Sequence, residues 1–178
     1  LLSRAGFSAN ESLEAIGDTL NLARAGGLGI ARATEIAADT LRGFGIEAEN
    51  TVRIVDVLAL ASSKANTTVE QLGQALKFAA PIARGLGVSL EETNAALAIL
   101  ADSGQKASIG GTGLRRVMAK LESPTAKARN TLKSLGLEAK DVQISSVGLT
   151  KALARLAQAG ISTSEIFDIF GKRSGTAA

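Results

Sequence analysis

The stretch Gly110-Gly111-Thr112-Gly113-Leu114-Arg115-Arg116, with Gly104 shortly before it, comes nearest to a chemical site in this chain. A glycine-rich turn ahead of a helix exposes backbone N–H groups that can cradle phosphate, and two arginines would add charge. The spacing, however, matches neither a P-loop nor a dinucleotide fingerprint, and no strand precedes it. Arginines in the first turn of a helix also face the positive end of its dipole. Arg115 and Arg116 therefore point to an acidic partner or a salt bridge. The simpler expectation is a structural or interaction turn, formed by Gly104, Gly110, Gly111, Thr112, Gly113, Arg115 and Arg116, that lets two helices come close.

Other chemistry is scarce. Asp39, Asp56 and Asp102 each sit late in an apolar helical pattern, but their spacing defines no acid–base motif, and solvated or salt-bridged positions explain them. With no Cys and no His, the chain offers no thiolate nucleophile, imidazole base, disulfide or ordinary zinc site. Phe44, Phe78, Phe167 and Phe170 fall at helix ends or on apolar faces, as core anchors do, and are too scattered to stack on single-stranded bases. No residue is assigned to catalysis, a cofactor or a metal. The chain reads as a non-enzyme without a small-molecule substrate.

The elements that would carry these residues are helices. Of 178 residues, 46% are hydrophobic, yet 32 are Ala, only five are Phe, and Trp and Tyr are absent. Small side chains allow close helix approach but bury little area each, so a thin, extended core is expected over a thick globule. Charge is nearly balanced, 20 Lys and Arg against 17 Asp and Glu, without the concentrated basic patch of a dedicated duplex-DNA reader. No stretch approaches the roughly 20 apolar residues of a spanning helix, and membrane contact is not expected for this segment. The start, Leu1-Leu2-Ser3-Arg4, does not resemble a signal peptide and lacks an initiator Met, as in a piece of a longer chain.

Capping boxes at Ser8/Glu11, Thr68/Gln71, Ser89/Glu92 and Ser162/Glu165 open apolar periodic runs. Further helices are predicted from Ile30 to Leu41, from Asn50 or Thr51, and from Leu149 to Gln158. Pro81 should kink its helix. Ala107 to Gly113 reads as a small-residue loop, and Ser123-Pro124 as a cap followed by proline at the first helical position. Asp141 to Val147 is the only strand-like segment.

One phrase recurs: Gly43-Phe44-Gly45-Ile46 parallels Gly85-Leu86-Gly87-Val88, 42 residues later, with weaker echoes at Gly6-Phe7, Gly136-Leu137 and Gly160-Ile161. Each reads as a helix-ending glycine followed by an apolar residue that packs back. The expected fold is all-α: eight or nine short helices packed as hairpins, a degenerate repeat of about 42 residues, solenoid-like or an elongated bundle. We expect one helical region over 1–178, with possible sub-units 1–104 and 105–178. Glycines at the joints would let the packing rearrange.

Taken in order, these segments resemble the core region of phage tail tape measure proteins of long-tailed phages and prophages. The most specific stretch runs from Leu100-Ala101-Asp102-Ser103-Gly104-Gln105-Lys106-Ala107 through Gly110-Gly111-Thr112-Gly113-Leu114-Arg115 to Leu121-Glu122-Ser123-Pro124. It is similar to the family's Ala-Asp-x-Gly-Ile-Lys-Gly-Ser-x-x-Gly-Thr-Ala-Leu-Arg, followed by a leucine and a proline. Asp56-Val57-Leu58-Ala59, Phe78-Ala79-Ala80-Pro81, Leu86 to Thr93 and Ile169-Phe170-Gly171 also fit. Gln105, Ala107 and Gly113 depart from the usual Ile, Gly and Ala. The resemblance implies a structural virion protein in the tail lumen or tail tip, present in the host cytoplasm during assembly. It would set tail length, take part in DNA ejection, and pass transiently near DNA. The implied partners are copies of itself, as a trimer or hexamer around the tail axis, and tail-tube and distal tail-tip proteins. A generic helical-repeat scaffold that binds proteins in a groove is the alternative.

Overall fold

A computed structural model describes residues 8–171, with side chains given for Ser8 and from Ala15 onward. The described residues are all-α, without a strand. They form α1 (Ala9–Gly26), α2 (Ile30–Phe44), α3 (Thr51–Lys64), α4 (Val69–Gly85), α5 (Leu90–Asp102), α6 (Ala107–Glu122), α7 (Ala126–Ser134), α8 (Ala139–Val142), α9 (Ile144–Val147), α10 (Leu149–Gln158) and α11 (Thr163–Phe170), with a single 3-10 turn at Ala48–Asn50.

The helices begin and end for local reasons. Thr68, Ser89 and Thr125 each accept a hydrogen bond from the N–H three residues on, at 3.0–3.2 Å. Ser162 and Glu165 form a reciprocal capping box. The Ser8/Glu11 pair lies outside the described residues, because the Glu11 side chain is not among them. At the far ends the same device recurs. Leu28, Ile46, Val88, Gln105, Leu137 and Ile161 each donate their N–H to the carbonyl five residues back. Each follows a glycine in the left-handed region, from Gly27 to Gly160, φ +61° to +85°. This is the glycine C-cap expected at Gly45, Gly87, Gly136 and Gly160, extended to Gly27 and Gly104; the Gly6-Phe7 echo lies outside the described residues.

Each of α1–α6 packs most extensively on a helix two places away in the chain: α1 on α3, α2 on α4, α3 on α5 and α4 on α6. Two rows result, α1/α3/α5 and α2/α4/α6, and α4 lies between α2 and α6. The buried positions follow this arrangement. Leu72, Gly73, Ala75, Leu76, Ala79 and Ala80 of α4 stand 39 residues after Ala33, Thr34, Ile36, Ala37, Thr40 and Leu41 of α2. All seven buried residues of α6 stand 38 after buried residues of α4. Gly45 and Gly87 are nonetheless 42 apart, because α4 runs three residues further and the connection to α5 is three shorter.

The core is thin, as the Ala content implies. Leu22, Ile36, Ile54, Leu58, Leu72, Leu76 and Leu90 are fully buried among alanines, and Met118, Leu121, Leu132 and Leu149 continue the cluster into the C-terminal helices. There α7 packs on α11, while α8, α9 and α10 pack on one another and reach α6.

Four expectations are corrected. Residues 107–113 are not a loop but the first two turns of α6. Asp141 to Val147 is not a strand: Val142 and Ile144 are both buried, which mimics strand alternation, but Gln143 breaks the chain between two single-turn helices. Pro124 does not open α7; Thr125 caps it and Ala126 begins it. Phe78 and Phe167 are not core anchors, being 39% and 37% exposed, whereas Phe170 is buried. Helix α4 runs through Pro81 to Gly85 without ending there.

Candidate functional site

The glycine-rich segment lies at the most extensive contact in the fold, that between α4 and α6. A Cβ built on Gly111 would sit 2.1 Å from the Ala75 carbonyl oxygen and 2.7 Å from its carbonyl carbon and Cα. Only hydrogen fits there, so the α6 backbone rests directly on that of α4. A Cβ on Gly110 would meet the Gln105 carbonyl oxygen at 2.5 Å. Three glycines within two helical turns cost roughly 1 kcal/mol each against Ala. The packing they permit overrides that propensity, and this is why a loop-like sequence is helical.

The same economy of space recurs on the other side of α4. Cβ atoms on Gly73 and Gly43 would approach the Ile36 side chain at 2.9 Å and Ala80 Cβ at 2.8 Å. Of the remaining segment, Gly104 is the left-handed residue that ends α5, and Arg115 is exposed. Thr112, Gly113 and Arg116 come together with Phe78, Ile109 and Ser108 to line an open groove of about 400 Å³ between α4 and α6. Arginine 115 is not part of it. Ile109 is 68% exposed. The sequence gives one signal for these apolar residues: each is a large side chain between small or charged neighbours.

Ion pairs tie the rows together. Arg32 of α2 donates Nε and Nη2 to Glu70 of α4 at 2.8 and 2.7 Å, and its Nη1 lies 2.6 Å from Glu35. Lys77 bridges Glu35 and Asp39 at 3.2 and 3.3 Å, and Arg42 pairs with Asp39 at 2.7 Å. Arg53 of α3 makes the matching fork to Glu91 of α5, at 2.6 and 2.7 Å. Hydrogen bonds from Arg32 hold Glu35 and Glu70 below the usual carboxylate range. Those from Arg53 pull Glu91 down to about 2. Asp102 accepts from the Asn66 N–H at 2.7 Å. Asp39 and Asp102 are thus structural, as a salt-bridge or solvated reading expects, while Asp56 is exposed without an ion pair among the described residues. Among the described residues, no group of three or more Asp and Glu converges as a metal site would require.

Two further carboxylates reach across the fold. Neither α9 nor α10 has a capping side chain of its own. Glu122 of α6 accepts from Ser145 N–H and Oγ at 3.0 and 2.7 Å and from Gln143 Nε2 at 3.1 Å. Glu92 of α5 accepts from Thr150 N–H at 2.8 Å and from its hydroxyl. Burial pushes the Glu122 carboxyl up, but the hydrogen bonds outweigh it and leave it lowered.

What these helices define is a structural module with interaction surfaces. The chain belongs to the phage-related minor tail protein family, whose model matches residues 1–171. It is similar to the tape measure protein of Pneumococcus phage Dp-1, 34% identical over 179 residues, which cover 97% of this chain and 16% of that protein. The chain therefore spans about one sixth of the length of the curated relative it matches. No solved structure matches it significantly. Membership makes the chain a phage tail component, and no described helix is long and apolar enough to cross a membrane.

Proposed function

We propose that this chain is one helical region of a much longer tail tape measure protein, which sets tail length during assembly and takes part in DNA ejection. The observation that carries the reading is the match to a tape measure protein over almost the whole chain. In this reading the protein is assembled in the host cytoplasm and resides in the tail lumen or tail tip. It self-associates around the tail axis as a trimer or hexamer, contacts tail-tube and tip proteins, and lies transiently near DNA. Its action is mechanical: helices bury small apolar faces against one another, against copies of the chain and against tail proteins. Residues 1–178 act as one helical region, with 1–104 and 105–178 as possible sub-units. The burial register of 38–39 residues supports reading α1–α6 as stacked two-helix units.

The test is made in the parent phage. An in-frame deletion of these residues is expected to abolish infectious particles. Deletions elsewhere in the parent chain should shorten the tail by about 1.5 Å per residue lost, the rise of a helix lying along the lumen. Electron microscopy of the tails reads both. Full infectivity without this segment, together with unchanged tail length in the other deletions, would overturn the reading.

A further inference from the structure

Although charge looks evenly spread in the sequence, it divides along the chain. Residues 1–104 carry 8 Lys and Arg against 12 Asp and Glu, whereas residues 105–178 carry 12 against 5. Two surfaces, one in each part, combine exposed apolar bulk with a charge of opposite sign. On α3, Leu60 is 60% exposed one helical turn from the exposed Asp56. In the groove between α4 and α6, Phe78 and Ile109 lie exposed beside Arg116. Neither Asp56 nor Arg116 has an ion-pair partner among the described residues.

From this charge complementarity we infer that copies of this chain associate by seating the Asp56/Leu60 edge of α3 in the Phe78/Ile109/Arg116 groove of the next copy. The inference rests on the reading of the chain as a self-associating tail component, and names the surfaces. Apolar contact between Leu60 and the groove supplies the attraction. The Asp56–Arg116 pair sets orientation and rejects wrong partners, because a like charge in either place repels. The two surfaces belong to different helix rows, so each copy has one of each. Such a contact is heterologous: it closes into a ring where the rotation per copy allows, and otherwise continues as an open chain.

The test is light scattering and sedimentation of the purified 178-residue chain over a range of concentration, at low and high salt. Wild type is expected to associate, more weakly at high salt. Asp56→Arg and Arg116→Glu each place like charges together and should weaken association roughly tenfold. The double variant restores opposite charges between neighbouring copies and should recover most of the loss. All four residues concerned are at least partly exposed, so circular dichroism and the melting temperature should not change. Association that ignores both reversals, or a double variant no better than the singles, would overturn the interface while leaving self-association standing. A monomer at every concentration would overturn both. Binding to duplex DNA that Arg116→Glu abolishes, with self-association unaffected, would reassign the groove to a polyanion.

Discussion

Gly111→Ala separates packing from propensity with one methyl group. On propensity alone the change should stabilise a helix by about 1 kcal/mol. The added carbon, however, would stand 2.1 Å from the Ala75 carbonyl oxygen, and the opposing atoms are all backbone. Ordinary carbon contacts begin near 3.4 Å. No rotamer change relieves this clash, so α6 must retreat from α4 by about 1 Å. That retreat loosens Leu114, Val117, Met118 and Leu121, which are buried along the same helix. Overpacking of this kind costs about 1–3 kcal/mol, and more when backbone has to move. Set against the gain in propensity, the net effect should be a loss of about 2 kcal/mol. For a chain of this size it corresponds to a melting temperature lower by roughly 4–8 °C.

The assay is thermal and urea denaturation followed by circular dichroism, with two internal controls. Gly17→Ala in α1 meets nothing within 4 Å and should show the propensity gain alone, raising the melting temperature by about 1–4 °C. Gly73→Ala meets the Ile36 side chain at 2.9 Å, which can turn aside, so its effect should fall between the two. If Gly111→Ala melted at or above the wild-type temperature, the α4–α6 contact would not depend on a missing side chain and the argument would fail.

Three other outcomes follow from single residues. Ala107, at φ +52°, is the one described non-glycine residue in the left-handed region; this costs it about 1–2 kcal/mol. Ala107→Gly, offset by the chain entropy of glycine, should raise stability by about 0.5 kcal/mol, measured as a higher urea midpoint. Glu91, held at about 2, and the lowered Glu35, Glu70 and Glu122 each favour folding while ionised. Their contribution is complete above the ordinary carboxylate pKa of about 4.5 and is lost as pH falls toward 2. The urea midpoint should therefore decline across that window, and Glu91→Gln should flatten part of the decline; an unchanged slope would contradict the pairing with Arg53. The caps given by Glu92 and Glu122 to α10 and α9 predict that Glu92→Gln and Glu122→Gln speed amide hydrogen exchange in residues 143–152 selectively. Uniform acceleration through α2–α6 would count against a local capping role.

Most of the fold was legible because its signals are local. A cap acts over three residues and a glycine C-cap over six, so Thr68, Ser89 and Ser162 mark helix starts in the sequence, and Gly45, Gly87, Gly136 and Gly160 mark ends, without reference to the rest of the chain. The candidate segment was legible in composition and misread in conformation for the same reason. Gly110-Gly111-Thr112-Gly113 is locally a turn sequence; it is helical because a distant backbone, at Ala75, comes too close for any larger residue. The alternation of Val142 and Ile144 misled in the same way, since the capture of the Ser145 N–H by Glu122, 23 residues earlier, is invisible to a local pattern. Phe78 and Ile109 were unreadable as surface, because exposure depends on where a neighbouring helix ends rather than on residue type. Each error therefore falls where a contact more than 20 residues away in the chain overrides a local preference. The α4–α6 groove is made wholly of such contacts, and a functional surface in an alanine-rich helical array is to be sought there rather than in its motifs.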